Sequence, residues 1–396
     1  MNLISKKISD IANAILASDS RENIGLLSGG MGEALFLFHY DRVFDSISSY
    51  NRSIEIIENV FDSINNGNLF HTYCTGLAGV GWGIEYLIDN NFIDSQVSES
   101  LIEIDDLIGE MMIIDLKNGN YDFLHGASGS ILYLLKRRNS NPEKIDGYIR
   151  KYLDLLENAA IVVNDSEIKW ASIIDSSKGE MGYNISLSHG MTSIIAILSK
   201  IYLNGIEPIR SMQLAEKSAN YLFNQRIDSL QPVSFFPSYS IESDSVITHS
   251  RLSWCYGDLG ISIALWQSGM NFNKVDWIEF AEMVALKSTF RKKEKTGIID
   301  AGICHGACGL SLMYNRLFIN TKNKLFFDST EYWLNETMNM AKFENGLAGY
   351  KTFSPSAQNK WVDETNLLTG ISGIGLTLLS YISDTDTKWD ELLLLS

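Results

Sequence analysis

Apolar and polar positions recur with a helical period in segment after segment of this chain. Ile4, Ile8, Ile11 and Ile15 stand at i, i+4, i+7 and i+11, one face of a helix, with Lys6, Lys7 and Asp10 interspersed. Val97, Leu101, Ile104, Ile108 and Met111 repeat the pattern, as do Ile145, Ile149, Tyr152 and Leu156. Each set predicts an amphipathic helix that lays an apolar stripe on a core. Between them lie runs that are apolar all round, such as Ile131-Leu132-Tyr133-Leu134-Leu135. A helix of that kind must be buried on every side.

The buried runs share a start signal. A Gly-x-x-Gly-like element precedes them at Gly29-Gly30-Met31-Gly32, Gly76-Leu77-Ala78-Gly79, Gly126-Ala127-Ser128-Gly129 and Gly190-Met191-Thr192-Ser193. It returns at Gly257-Asp258-Leu259-Gly260, Gly306-Ala307-Cys308-Gly309 and Gly370-Ile371-Ser372-Gly373. The final positions of successive elements are separated by 47, 50, 64, 67, 49 and 64 residues, too irregular for a uniform solenoid but with room for two helices each time. Seven buried helices, each paired with an amphipathic one, predict an all-α fold. We expect an α/α toroid, an inner ring of helices inside an outer ring, over residues 1–396 as a single domain. Glycine lets helix starts approach closely, so seven such starts at one end of a ring would form a shared concave floor.

One stretch departs from the helical pattern. From Gln225 to Arg251 the chain carries Pro232-Val233-Ser234-Phe235-Phe236-Pro237-Ser238-Tyr239-Ser240-Ile241, which predicts extended structure or short strands. Residues 225–251 are therefore expected to form a small lobe inserted in the fourth repeat.

Composition narrows the function classes. With 45% hydrophobic residues in 396, the chain can bury a large core. A formal charge of −16 argues against a nucleic-acid partner, which needs a basic surface, and is compatible with a basic peptide. No apolar run approaches the roughly 20 residues that span a membrane. The first residues, interrupted by Lys6, Lys7 and Asp10, are not expected to be a signal peptide. Four cysteines in so long a chain make no disulfide framework. They point to a reducing cytoplasm and to metal-binding or catalytic thiols.

The residues just before the glycines would face the floor: Leu27-Ser28, Cys74-Thr75, Leu124-His125, Ser188-His189, Cys255-Tyr256, Cys304-His305 and Leu368-Thr369. Three of the six histidines and three of the four cysteines fall there, which packing alone does not explain. A single free cysteine is ordinarily a core residue. Two at equivalent repeat positions, one beside a histidine, read differently. Cys255, Cys304 and His305 make a Cys₂His set, which suits Zn²⁺ and leaves a fourth tetrahedral position open, as catalytic zinc sites do. Cys308 is an alternative ligand, although it follows a glycine and belongs inside a helix among packed side chains. Cys74 has a ligand-like position but no histidine after it and reads as structural.

His189 shares its repeat position with His305. A lone histidine is ordinarily a core or surface residue, but here an acid/base role suits an imidazole that titrates near neutral pH. His125 is as compatible with a structural role as with one that supports the site. Asp122, four residues before Gly126, and Arg251, four before Cys255, would each read as solvated charges in isolation. Near a zinc site they could pair and orient it.

With these residues in view, the chain resembles the lanthipeptide cyclases of the lanthionine synthetase C-like family over essentially its whole length. The marks are the seven glycine elements, Ser188-His189-Gly190, Trp254-Cys255-Tyr256-Gly257 and Cys304-His305-Gly306. The resemblance implies a toroid of seven inner and seven outer helices and one zinc ion held by Cys255, Cys304 and His305. It implies an active-site histidine at His189, an aspartate at Asp122, an arginine at Arg251 and a tyrosine at Tyr256. Some members carry a small inserted lobe, for which residues 225–251 would be the counterpart. Leu259 stands where the family often has proline, and Ser193 where it usually has glycine; both lie in the scaffold, away from the ligands.

The implied reaction is intramolecular addition of a cysteine thiol to dehydroalanine or dehydrobutyrine in a dehydrated precursor peptide, closing a lanthionine or methyllanthionine ring. The implied partners are that peptide, a dehydratase and an exporter. The implied location is the cytoplasm, peripheral to the membrane through partner proteins. A non-catalytic alternative is a thiol-, peptide- or glutathione-binding scaffold of the same family, against which His189 together with Asp122 speaks. A carbohydrate-active toroid would need paired carboxylates, and no acidic pair recurs at the floor positions.

Overall fold

The computed structural model describes residues 3–18, 23–67, 69–175, 179–227, 233–243, 249–383 and 385–396. Among them are fourteen α-helices. In chain order these are α1 (Leu3–Leu16), α2 (Gly30–Phe44), α3 (Ile47–Asn66), α4 (Leu77–Asp89), α5 (Ile102–Lys117), α6 (Ala127–Arg137) and α7 (Pro142–Asn158). They continue as α8 (Met191–Leu203), α9 (Pro208–Phe223), α10 (Asp258–Phe272), α11 (Val275–Ser288), α12 (Ala307–Thr321), α13 (Lys324–Asn339) and α14 (Ile371–Ile382). No helix among the described residues is long and apolar enough to cross a membrane.

The two sequence patterns sort into alternate helices. The even-numbered helices are the runs apolar all round: α4 is buried from Leu77 to Leu87 and α14 from Ile371 to Leu379. The odd-numbered ones bury a stripe, Ile8, Ile11 and Ile15 in α1 and Ile145, Ile149, Tyr152 and Leu156 in α7. In α5 the stripe differs from expectation at one end. Its buried face runs Ile104, Ile108 and Met112, every fourth residue, so Met112 is buried rather than Met111.

The glycine elements explain how the even-numbered helices begin. None of these helices has a side-chain cap on its first N–H groups. The orphan donors are met by the chain itself, which doubles back so that carbonyls seven residues upstream accept them. Leu77 N–H donates to Phe70 O at 2.9 Å, Met191 to Asn184 at 2.9 Å, Ala307 to Asp300 at 3.0 Å and Ile371 to Glu364 at 3.0 Å. The turn is so tight that a Cβ on Gly76 or Gly79 would overlap the carbonyl oxygen of Phe70 or Tyr73. Ser193, the departure from glycine, is buried and donates its hydroxyl to Gly190 O at 2.7 Å.

The chain divides into two compact units. The first comprises Met1–Leu101 and Ile298–Trp389. Within it the glycine turns are joined by backbone bonds. Ile303 N–H and Cys304 N–H donate to Leu368 O at 3.1 and 2.9 Å, Leu368 N–H to Leu27 O at 2.8 Å, and Leu27 N–H to Cys74 O at 3.1 Å. The turns that start α12, α14, α2 and α4 therefore lie side by side in that order, although two come from each end of the chain. This unit also carries the short antiparallel pair β5 (Thr352–Phe353) and β6 (Trp361–Val362).

The second unit comprises Ile102–Gly297 and Asp390–Ser396. Its C-terminal segment is held by Trp254, whose buried indole N–H donates to Leu393 O at 2.9 Å. Two antiparallel hairpins lie between α7 and α8: β1 (Ile161–Asn164) with β2 (Glu167–Lys169), and β3 (Ser172–Asp175) with β4 (Glu180–Gly182). Strands thus occur where the sequence reading placed none. The expected lobe at 225–251 lies partly outside the described residues, at 228–232 and 244–248. Its described residues form only isolated bridges, Asn184 with Tyr239 and Pro237 with His249. The carboxylate of buried Asp258, at the start of α10, holds this segment by accepting Phe235 and Phe236 N–H at 3.0 and 2.9 Å.

Candidate metal and acid–base site

In the second unit the turns before α8 and α10 are stitched together. Ser188 donates to Cys255 O from its backbone N–H at 3.4 Å and from its hydroxyl at 3.2 Å. This sets His189 and Cys255 on adjacent turns. The ring of His189 lies 6.1 Å from that of Tyr256 and 6.2 Å from that of His125. Tyr256 OH accepts from Asn184 Nδ2 at 3.3 Å, and its ring meets that of Tyr239 edge-on. Burial pushes the Tyr256 phenol far above its ordinary value, so it stays protonated.

His189 and Asp122 are paired directly. Asp122 Oδ2 lies 2.6 Å from His189 Nδ1, and Asp122 Oδ1 accepts the backbone N–H groups of Leu124 and His125 at 2.7 and 2.8 Å. Burial pushes the Asp122 carboxyl up, but the His189 bond and charge outweigh it and hold the group below the ordinary carboxylate value. Burial likewise draws His189 down, and the bond and charge of Asp122, with a contribution from Cys255, lift it above an ordinary histidine. A carboxylate on Nδ1 fixes the tautomer, leaving Nε2 to carry or accept a proton. His125 falls below the ordinary value, by desolvation first and then by repulsion from His189.

Arg251 does not take the position expected of it. It is exposed, and among the described residues it forms no ion pair with Asp122. The backbone donors of Leu124 and His125, supplied by the turn that contains Asp122, do that orienting work instead.

In the first unit, Cys304 and His305 occupy the turn before α12 and are both part-exposed. Asp300, a residue the sequence reading passed over, is buried beneath them. Its Oδ1 accepts Gly302 N–H at 3.2 Å, its Oδ2 accepts Phe353 N–H at 2.9 Å, and Oδ2 lies 3.8 Å from His305 Nε2. A carboxylate beside a histidine is the usual means of orienting an imidazole ligand. Asp300 stands six residues before Gly306, as Asn184 does before Gly190 and Asn23 before Gly29; each accepts the N–H two residues on. That repeat register was the available signal for both Asp300 and Asn184.

Cys304 and His305 in the first unit and Cys255 in the second offer thiol and imidazole donors of the kind a zinc ion takes. The other two cysteines are not in this group. Cys308 is buried inside α12, its thiol pushed up to about 12 by burial and 4.0 Å from Gly373 O, a neutral packed thiol rather than a thiolate ligand. Cys74 is buried as well.

Comparison with known proteins gives a consistent result. Residues 20–394 match the family of lanthionine synthetase C-like proteins. The nisin biosynthesis protein NisC of Lactococcus lactis subsp. lactis is 24% identical over 378 residues, covering 89% of this chain and 84% of that protein. The solved structure of nisin cyclase superposes with a TM-score of 0.78 at 20% identity, over 99% of this chain and 96% of its own. A cellobiose 2-epimerase from Bacillus thermoamylovorans B4167 is more distant, with a TM-score of 0.46 at 10% identity, over 96% of this chain and 99% of its own. The fold class is all-α, the α/α toroid that nisin cyclase also has. With the match spanning nearly the whole length, this chain belongs to the lanthionine synthetase C-like family.

Proposed function

We propose that this chain is a zinc-dependent cyclase that adds cysteine thiols of a dehydrated precursor peptide to its dehydroalanine or dehydrobutyrine residues, closing lanthionine or methyllanthionine rings. The observation that carries the reading is the His189–Asp122 pair at 2.6 Å, on the turn bonded to that of Cys255, one of three potential metal ligands. Similarity to a protein named nisin cyclase supports the same reaction class.

Cys255, Cys304 and His305 would hold the zinc, with Asp300 orienting His305. A zinc ion there would supply positive charge that lowers the pKa of a substrate thiol. The reaction itself breaks an S–H bond and the Cα=Cβ π bond and forms a Cβ–S and a Cα–H bond. The thiol proton leaves to solvent, the sulfur attacks Cβ, and negative charge develops at Cα and its carbonyl oxygen. His189 as imidazolium delivers a proton from Nε2 to Cα, and Asp122 stabilises that imidazolium until transfer. Solvent then reprotonates His189, so no proton is gained or lost overall. Tyr256, kept neutral by burial and hydrogen-bonded to Asn184, walls the pocket on the side of His189.

A dehydratase that makes the dehydro residues must act before this chain, and an exporter would act after it. Ring closure conserves mass, so the test counts thiols. Zinc-loaded protein is incubated with a dehydrated precursor, then an alkylating agent reports the thiols left. Loss of one alkylatable thiol per ring supports the cyclase. Retention of every thiol by peptides that nevertheless bind would indicate a scaffold that only captures them.

A further inference from the structure

A cavity of about 270 Å³ opens in the second unit beside Asp122 and His189. Buried Trp170, Met191 and Ile194 line it, together with Ile173 and Met181. Ile173 and Met181 are register partners in the β3–β4 hairpin, so both side chains stand on one face of it. Each is 59% exposed. Two large apolar residues paired in this way and left to solvent are a surface that gains by being covered.

The chemistry of the lining selects the occupant. The charged residues bordering the cavity, Asp122 and His189, are already paired with each other. Among the described residues no other charged group lines it to receive an ionised side chain, so such a group would lose its hydration without compensation. The volume suits one aromatic or branched aliphatic side chain. Position selects which residue of the peptide supplies it. His189 must reach the Cα of the dehydro residue, and the next Cα along an extended peptide is about 3.8 Å away. The neighbour's side chain therefore falls beside His189, where the cavity lies.

We propose that this cavity is a specificity subsite for an aliphatic or aromatic side chain next to the dehydro residue, and that Ile173 and Met181 set its preference. The proposal rests on the cyclase reading for the placement of the peptide, and its test separates the two.

The probes are fluorescent peptides in which cysteine is replaced by alanine and dehydroalanine is flanked by Leu, Phe, Glu or Lys, one set varied on the N-terminal side and one on the C-terminal side. Binding to the zinc-loaded full chain is read by anisotropy. In one of the two sets Leu and Phe should bind roughly tenfold or more tighter than Glu and Lys. Met181→Glu should abolish that preference and raise affinity for the Lys peptide, and Met181→Lys should do the same for the Glu peptide. Opposite gains from two substitutions at one exposed position cannot come from misfolding. Equal affinity for all four peptides in both sets, or a preference that neither variant moves, overturns the proposal. Cysteine-containing versions then separate the readings. Rings closed at one kcat/KM for every neighbour would retain the cyclase and remove the subsite. The binding order without any ring would retain the subsite and remove the cyclase.

Discussion

His189 Nδ1 and Asp122 Oδ2 are 2.6 Å apart, and the other oxygen of Asp122 is occupied by the backbone N–H groups of Leu124 and His125. The carboxylate is thus locked by its own turn before it meets the histidine, and the proton-carrying Nε2 points away from it. The pair has the form of an acid whose charge state is set locally, without help from Arg251.

That arrangement predicts a pH dependence. His189 is raised by Asp122 against the opposing effect of burial. If its imidazolium is the donor, turnover falls as pH rises through that raised value. Asp122→Asn removes the supporting charge and should move this alkaline limb to lower pH by about one unit or more. Stability follows the same sign. The pair's contribution is lost above as His189 deprotonates through its raised value, and below as Asp122 protonates through its depressed one. The difference in Tm between wild type and Asp122→Asn, measured across pH, should be largest between those limits and vanish outside them. An unmoved alkaline limb in the variant would remove His189 as the donor.

Metal content and fold should separate in Cys304→Ala. Cys304 is part-exposed on a turn, while the cores are built from the buried faces of α1–α14. Zinc measured by elemental analysis should fall to background and ring formation with it, while far-ultraviolet circular dichroism stays that of wild type. Unfolding of this variant would make the metal structural, and full zinc content would remove Cys304 from the ligand set.

Asp300→Ala should weaken zinc without removing a ligand. The carboxylate beside His305 Nε2 is lost, and affinity should fall about 10- to 100-fold in a chelator competition. Asp300→Asn keeps an acceptor for Gly302 N–H, so its fold should be less disturbed while the affinity loss remains. Unchanged affinity in both variants would leave Asp300 a turn residue only.

Two glycines should respond oppositely to alanine. In Gly79→Ala the new Cβ overlaps the carbonyl oxygen of Tyr73, and stability should fall by about 1–3 kcal/mol. Gly147, exposed within α7, has no atom within 4 Å of a new Cβ, and Gly147→Ala should gain about 0.5–1 kcal/mol. Denaturant titration measures both. A neutral Gly79→Ala would mean that close approach does not explain the repeated glycine.

Much of this fold was legible because its period is strong. Apolar faces such as Ile8, Ile11 and Ile15 and the fully apolar runs after each glycine sorted the helices correctly. The cysteines and histidines stood out because they cluster at one repeat position. What escaped notice depended on short or local features. Strands of three or four residues between α7 and α8 carry little periodic signal, and the richer aromatic and serine content around Phe235 drew attention away from them. Asp300 and Asn184 read as ordinary turn formers, which they also are. Arg251 was paired with Asp122 by charge alone, and the backbone donors that satisfy Asp122 cannot be seen in side-chain identities.

The most direct measurement of the central claim is the initial rate at which alkylatable thiols disappear from a dehydrated precursor, for zinc-loaded wild type, His189→Ala, Cys304→Ala and buffer alone. Thiols should disappear rapidly with wild type, roughly 10²–10⁴-fold more slowly with His189→Ala despite full zinc content, and at the buffer rate with Cys304→Ala. Thiol loss with wild type no faster than in buffer, or His189→Ala as fast as wild type, would contradict that claim.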